Sequence, residues 1–151
     1  MESVLQILAA TASAFGFSVL FQIKGKRLVA VSAGGGLSWI LYLLLILVLH
    51  DEAVTYFVVA LSVSLYAEVM ARLLKSPAIV FLAPSLIPLV PGASLYYTMS
   101  HAFDGNLLQF AEKGLHTVSL AAALALGVIL SAIIMKLYVK LATKLREKKQ
   151  A

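Results

Sequence analysis

Long apolar stretches separated by short groups of charged residues make up most of this chain. A helix needs roughly 20 apolar residues to cross the hydrocarbon core of a bilayer, which is about 30 Å thick. Read from one charged group to the next, the apolar stretches predict spans at about 3–23, 28–49, 53–74, 77–103 and 114–135. The pattern therefore predicts an all-α integral membrane protein with five transmembrane helices in residues 1–139, followed by a basic cytoplasmic tail at 140–151.

The composition excludes several other classes of protein. Of the 151 residues, 62% are hydrophobic and 13% are charged, which is too few charges to cover a soluble globule. The net charge of +5 comes from short basic tracts beside apolar runs, so it indicates membrane orientation rather than a nucleic-acid partner. The chain has no cysteine, and its three histidines lack metal-ligand spacing. We therefore expect no metal, no cofactor and no enzyme activity, with His101 and His116 as solvated loop residues.

The basic residues also predict the orientation, because cytoplasmic loops retain Lys and Arg. If the N-terminus lies outside, all of the 12 Lys and Arg residues except Lys113 fall on the cytoplasmic side. We therefore predict an outside N-terminus and a cytoplasmic C-terminus. The first span has no basic segment before its apolar core, so we expect it to remain as a helix rather than to be cleaved as a signal peptide.

Small residues recur every four positions on three of the predicted spans, which is typical of close helix packing in membranes. The three stripes are Ala10, Ala14 and Ser18; Gly34 and Ser38; and Ala123, Gly127 and Ser131. The run Gly34–Gly36 weakens a helix, so we expect either a close contact or a local unwinding there.

The beginning of the basic tail places Lys136, Lys140 and Lys144 on one helical face. Such a face fits lipid headgroups or a docking partner. It also fits a cytoplasmic extension of the fifth span that simply follows the orientation rule, and the sequence favours this second interpretation.

Glu68 is an acidic residue within the third predicted span. Acids inside a membrane are costly, and they typically mark ion or proton pathways. A spacing of four places Ser64, Glu68 and Arg72 on one stripe, where desolvation favours the protonated acid and Arg72 favours the carboxylate. We therefore predict that Glu68 is a proton-coupling residue. The alternative is a static pair in which Arg72 extends to the headgroups.

Three prolines, Pro84, Pro88 and Pro91, interrupt the fourth predicted span. Each lacks an N–H and crowds the carbonyl four residues earlier, so they predict a broken helix whose freed backbone groups line a cavity. Pro91 fits the first position of an outer half-helix, and Ser76-Pro77 fits the cap and first residue of an inner half. The alternative is a kinked span without a ligand, in which neighbouring groups satisfy the backbone.

A helical hairpin around Lys75 would place Glu68 within one helical pitch of Pro84. The outer half-helix would direct the amides of its first residues at a carboxylate or another anion. We therefore predict one pocket that contains the acid and the broken helix. The candidate substrate-binding residues are Arg72, Ser85, Pro91, Gly92, Ala93, Ser94 and Tyr97.

Four tracts of the sequence resemble the threonine/serine exporter family of bacterial inner-membrane proteins. They are Glu68-Val69-Met70-Ala71-Arg72, Lys75-Ser76-Pro77-Ala78, Ile87-Pro88-Leu89-Val90-Pro91-Gly92 and Leu95-Tyr96-Tyr97-Thr98-Met99. The resemblance is to the smaller, C-terminal module of that family and covers nearly the whole chain. It implies a multi-pass protein of the bacterial inner membrane that exports threonine, serine or a dicarboxylate such as succinate, driven by the proton gradient.

The larger N-terminal module of that family has no counterpart in this sequence. Split members of the family work beside a separate larger subunit, and five spans cannot hold two equal inverted repeats. We therefore expect a larger multi-span partner, with a homo-oligomer as a further possibility. Two other functions stay open: a non-transporting assembly subunit, and a small homo-oligomeric drug exporter. The Arg72 guanidinium argues against the drug exporter, since it would repel a lipophilic cation.

Overall fold

The computed structural model describes the backbone of residues 1–150 and the side chains of residues 1–141. The described chain consists of helices and short connections, without strands. The helices are α1 (Glu2–Leu20), α2 (Lys26–Leu49), α3 (Glu52–Leu73), α4 (Ile79–Leu86), a 3-10 turn (Ile87–Leu89), α5 (Gly92–Phe103) and α6 (Leu107–Gln150).

Four of these helices, α1, α2, α3 and α6, are long and apolar enough to cross a membrane. The segment of α4 with its 3-10 turn and helix α5 are bent by 53° relative to each other, and they make a fifth span if they are counted together. The structure therefore confirms an all-helical protein with four or five candidate membrane spans.

Helix α6 begins earlier than the predicted span at 114–135 because local groups cap it. Gly105 has a φ of +72°, which turns the chain after α5, and the side chain of Asn106 accepts a hydrogen bond of 3.3 Å from the Gln109 amide. Helix α3 begins in the same way, since the Asp51 carboxylate accepts from the Val54 amide at 2.9 Å. Capping side chains therefore set the first residues of both helices.

The helices pack in the spatial order α1, α2, α3, α6 and α5, with α4 lying against α1, α2 and α3. The segment interrupted by prolines is thus divided between two groups of helices, because α5 packs along α6. The hydrophobic cluster formed by Val31, Ala67, Ala71 and Phe81 joins α2, α3 and α4. This packing fixes the rotation of α3 about its axis, and hence the direction of its polar residues.

The three glycines of α2 make close contacts without unwinding the helix. Gly34 faces Ser85 of α4, Gly35 faces Ala14 of α1, and Gly36 faces Thr11 of α1. Helix α2 is continuous through all three residues. Of the two predicted outcomes, a close contact is confirmed, because small residues let the backbones of neighbouring helices approach.

Gly127 of α6 makes the corresponding contact with α3. A Cβ at this position would lie 2.6 Å from the Phe57 carbonyl oxygen and 2.9 Å from the Leu61 nitrogen. Ala123 and Ser131 of the same stripe are buried. The prediction that this stripe packs against a neighbouring helix is therefore confirmed.

Candidate functional site

The three prolines occupy different positions in the fourth segment. Pro84 is one of the three predicted helix breaks, but it lies inside α4, which continues to Leu86. The loss of one N–H removes a single hydrogen bond, and the helix continues because the buried packing of α4 offsets that loss. Pro88 lies in the 3-10 turn, and Pro91 is the N-cap of α5, one residue before the first helical position predicted for it.

The first residues of the two half-helices also differ from the prediction. The Ser76 hydroxyl donates to the Leu74 carbonyl at 3.0 Å, so it does not cap α4, whose N-cap is Ala78. The Gly92 amide donates to the Val90 carbonyl at 2.7 Å, so it is not free for an anion. The amides of Ala93 and Ser94 remain at the first turn of α5, where no side chain makes a capping hydrogen bond.

Two of the predicted substrate-binding residues, Ser85 and Tyr97, have different surroundings. Ser85 is fully buried, and its hydroxyl donates to the Val31 carbonyl of α2 at 3.3 Å. Tyr97 is 57% exposed, and its ring stacks edge-on with that of Tyr96. Ser85 therefore fixes α4 against α2, whereas Tyr97 lies on the outer surface of the described chain.

Glu68 and Arg72 face helix α6. The Glu68 carboxylate lies 3.9 Å from the Arg72 guanidinium, and the two side chains are 29% and 43% exposed. We call the groove that they line the basic groove. It has a volume of about 340 Å³ and is also lined by Ala132, Met135, Lys136, Val139 and Lys140 of α6.

The predicted pocket shared by Glu68 and the proline segment is therefore wrong. The reason is the rotation of α3: Ala67 and Ala71 are the residues that face α4, where they pack against Phe81. Glu68 follows Ala67 by one position, which turns its side chain by about 100° around a helix of 3.6 residues per turn. The sequence spacing around Lys75 sets the height of Glu68 along α3 but not the direction of its side chain.

Two buried hydroxyls lie beyond Glu68 in the contact between α3 and α6. Ser64 and Ser131 are 3% and 1% exposed, and neither hydroxyl has a hydrogen-bond partner among the described residues. Tyr56 of α3 packs with Leu120 and Ala123 of α6, and Gly127 contacts Ala60. Ser64 follows Ala60 by about one helical turn, and Ser131 follows Gly127 by the same distance. Because α3 and α6 run parallel, Ser64 and Ser131 lie at the same level of the contact.

These two hydroxyls differ from other buried or half-buried hydroxyls of the described chain. Ser18, Ser38 and Ser62 each donate to a carbonyl of their own helix, at 2.6, 2.7 and 2.8 Å. This local bond satisfies a hydroxyl where no water is present. Ser64 and Ser131 make no such bond, so they are available to a group that enters the α3–α6 contact one turn from Glu68. The sequence placed Ser64 on the Glu68 stripe but gave no sign that its hydroxyl would be unpaired.

A second polar cluster lies at the opposite end of the same helix pair. The Glu52 carboxylate lies 3.2 Å from His116 Nε2, and Tyr42 donates to Glu52 at 3.4 Å. His101 is part of α5 and His116 is part of α6, so the expectation that both belong to loops is wrong. The packing of α6 along α3 brings His116 beside Glu52.

A groove of about 280 Å³ lies between α1, α2 and the proline segment. It is lined by Gln6, Ala9, Ala10, Ser13, Trp39 and Pro88. The Trp39 indole donates to the Gln6 side chain at 3.3 Å, which closes part of its polar lining. The sequence did not single out Gln6 and Trp39, because each is an isolated polar-tipped side chain within an apolar span.

In the described part of the chain, no group of three or more His, Cys, Asp or Glu side chains is placed to hold a metal ion. The polar groups of the site are one acid within a span, its neighbouring cations and two hydroxyls without a hydrogen-bond partner among the described residues. Such a set can bind a proton, or a small ligand that carries both charges.

A family model described as "Threonine/Serine exporter, ThrE" matches residues 6–134 of the chain. This range includes α2, α3, the proline segment, Glu68 and most of the first and last candidate spans. Neither the curated proteins nor the solved structures contain a match to the chain.

Proposed function

Because the chain belongs to the threonine/serine exporter family, we propose that it is one subunit of a proton-coupled transporter that exports small polar metabolites across the bacterial inner membrane. The family is one of transporters, and the helices long enough to span a membrane make this a multi-pass membrane protein. We propose that a larger multi-span subunit completes the transporter, since the resemblance is to the smaller of the two modules of the family.

The observation that carries the proposal is the position of Glu68 beside Arg72 in the basic groove. An ionisable acid inside a span typically serves a proton or ion pathway. At 3.9 Å the ion pair is long, so neither side chain is locked by a short charge-assisted hydrogen bond. Glu68 is therefore free to exchange Arg72 for a proton or for a ligand.

An acid next to a cation is complementary to an amino acid, which carries an ammonium group and a carboxylate. We propose that the Glu68 carboxylate binds the ammonium group and that Arg72 binds the carboxylate. A proton on Glu68 removes the charge that holds the ammonium group, so the proton and the substrate compete for one site. This competition couples inward proton movement to outward movement of an amino acid. Succinate lacks an ammonium group, so the arrangement favours threonine or serine.

The remaining predicted binding residues take other roles in this proposal. Ser85, together with Pro84, holds α4 against its neighbours, because both are buried. Ser94 and Tyr97, with the first residues of α5, form the surface that the larger subunit or the substrate reaches from the outer side. The prolines at 88 and 91 allow α5 to leave α4 and join α6.

The central test is Glu68→Gln, which keeps the shape of the side chain and removes its titration. Cells that produce the chain with its larger subunit should lose at least tenfold of proton-driven threonine and serine export, while the amount of assembled complex stays the same. Glu112→Gln is the matched control, because Glu112 is an exposed acid on α6 outside the basic groove. Its export should equal that of the wild type.

The result also separates the other candidate functions. If Glu68→Gln lowers the amount of complex but leaves export per complex unchanged, the chain is an assembly subunit and the proton site is refuted. Drug resistance conferred by the chain alone would instead support a homo-oligomeric drug exporter. Export of succinate in preference to threonine would refute the assigned pairing of Glu68 with an ammonium group.

A further inference from the structure

A second, apolar groove adjoins the basic groove between α3 and α6. It has a volume of about 500 Å³ and is lined by Val69, Arg72, Leu73, Ile134, Met135 and Tyr138. Arg72 and Met135 line both grooves, so the two grooves lie on either side of these residues. The helix pair thus presents an apolar groove beside a charged one.

The charged side chains of the basic groove favour the binding of anions. Arg72, Lys136 and Lys140 line it together with one acid, Glu68, which gives three cations against one carboxylate. Lys136 and Lys140 are exposed, and they lie one turn apart on the side of α6 that borders the groove. A basic tract that only followed the orientation rule would not require lysines on α6 and an arginine on α3 to converge on one groove.

The depth of the site also fits a lipid. Arg72 belongs to the last turn of α3, and the basic groove is lined by α6 as far as Lys140, near the end of its apolar part at Leu141. The long lysine side chains can extend to the headgroup region, while the apolar groove beside them suits an acyl chain.

We propose that this site binds an anionic phospholipid, with its phosphate between Lys136 and Lys140 and one acyl chain along Val69, Leu73 and Tyr138, which leaves Arg72 to Glu68 and the substrate. The proposal is independent of the transport function, because it rests on the charge and shape of the two grooves. A phospholipid satisfies both grooves with one molecule, whereas a free phosphate ion would fill only the basic one. Basic grooves between membrane helices on the cytoplasmic side are suited to such headgroups.

The test uses the purified full chain in detergent, measured by native mass spectrometry with phosphatidylglycerol or phosphatidylcholine added. The expected result is retained phosphatidylglycerol, and a loss of its binding by roughly tenfold or more in the double variant K136Q/K140Q. The control K24Q/K26Q removes two exposed cations at the beginning of α2, which do not line either groove. This control should bind phosphatidylglycerol like the wild type.

Several outcomes would overturn the lipid site. Equal retention of the two lipids would show that the anionic headgroup is not recognised. An equal loss in K24Q/K26Q would show that only net charge matters. Thermal stabilisation by inorganic phosphate to the same extent as by phosphatidylglycerol would assign the groove to a free anion. A change of oligomeric mass in K136Q/K140Q without a change in bound lipid would assign it to a protein interface.

Discussion

The contact between α3 and α6 has two halves that differ in the size and polarity of their residues. In the closed half, Gly127 lies against the backbone of Phe57 and Leu61, and Leu120 is fully buried. In the open half, Glu68 and Lys136 line a groove and both are accessible. The same two helices therefore form a sealed contact and an accessible one within about three turns.

The difference shows that the basic groove is a local property of its residues rather than a general looseness of the helix pair. A glycine lets the backbones approach, and long charged side chains keep them apart. Ser64 and Ser131 lie between the closed half and the open half. They are buried, like the residues of the closed half, but their hydroxyls have no hydrogen-bond partner among the described residues. Function is expected on the open side, and stability on the closed side.

The largest effect is expected from the variant Gly127→Ala, which places a methyl group in the close contact between α3 and α6. Its Cβ would be pressed against backbone atoms of α3, which cannot rotate away, so we expect a loss of about 1–3 kcal/mol of stability. Thermal unfolding of the purified protein in detergent measures this loss. Gly16→Ala is the control, because nothing lies within 4 Å of a Cβ at that position of α1. Equal melting temperatures for the two variants would contradict a sealed half.

A smaller effect of opposite sign is expected from the double variant S64A/S131A. A buried hydroxyl without a hydrogen-bond partner is less favourable than a methyl group, so its removal should raise the melting temperature. If the hydroxyls serve a ligand next to Glu68, export should fall at the same time. Ser38→Ala is the control, because that hydroxyl already donates to Gly35. A double variant that melts lower than the wild type would show that both hydroxyls have partners in the membrane.

The smallest effect is expected from Glu52→Gln at the far end of the closed half. Glu52 and His116 are 37% and 45% exposed, and an accessible pair of this kind contributes about 0–1 kcal/mol. Unfolding of the variant at low and at high salt should therefore differ little from the wild type, and export should be retained. A loss of export comparable to that of Glu68→Gln would mean that the outer cluster belongs to the transport path.

Much of the fold is predictable because hydropathy and residue size act locally. The runs between charges gave the spans, and the spacing of Ala10 and Ala14 gave the α1 face that meets α2. Helix ends were less predictable, since the start of α6 depends on the side chain of Asn106.

The site was harder to predict than the fold. Sequence spacing places Ser64, Glu68 and Arg72 on one stripe, but it does not say which neighbour the stripe faces. That choice depends on Phe81 packing against Ala67 and Ala71, a contact between residues distant in sequence. The free state of Ser131 was likewise outside the reach of the sequence, because its neighbours on α3 become known only when the two helices are set side by side.

The length of α6 has a mechanical consequence. Its 44 residues rise about 66 Å at about 1.5 Å each, roughly twice the thickness of the hydrocarbon layer. The part of α6 that follows the close contact at Gly127 is long enough to extend beyond the bilayer. A tilt of about 10° about this contact would move the C-terminal end of α6 by about 6 Å, so a small rearrangement in the membrane would become a larger displacement outside it.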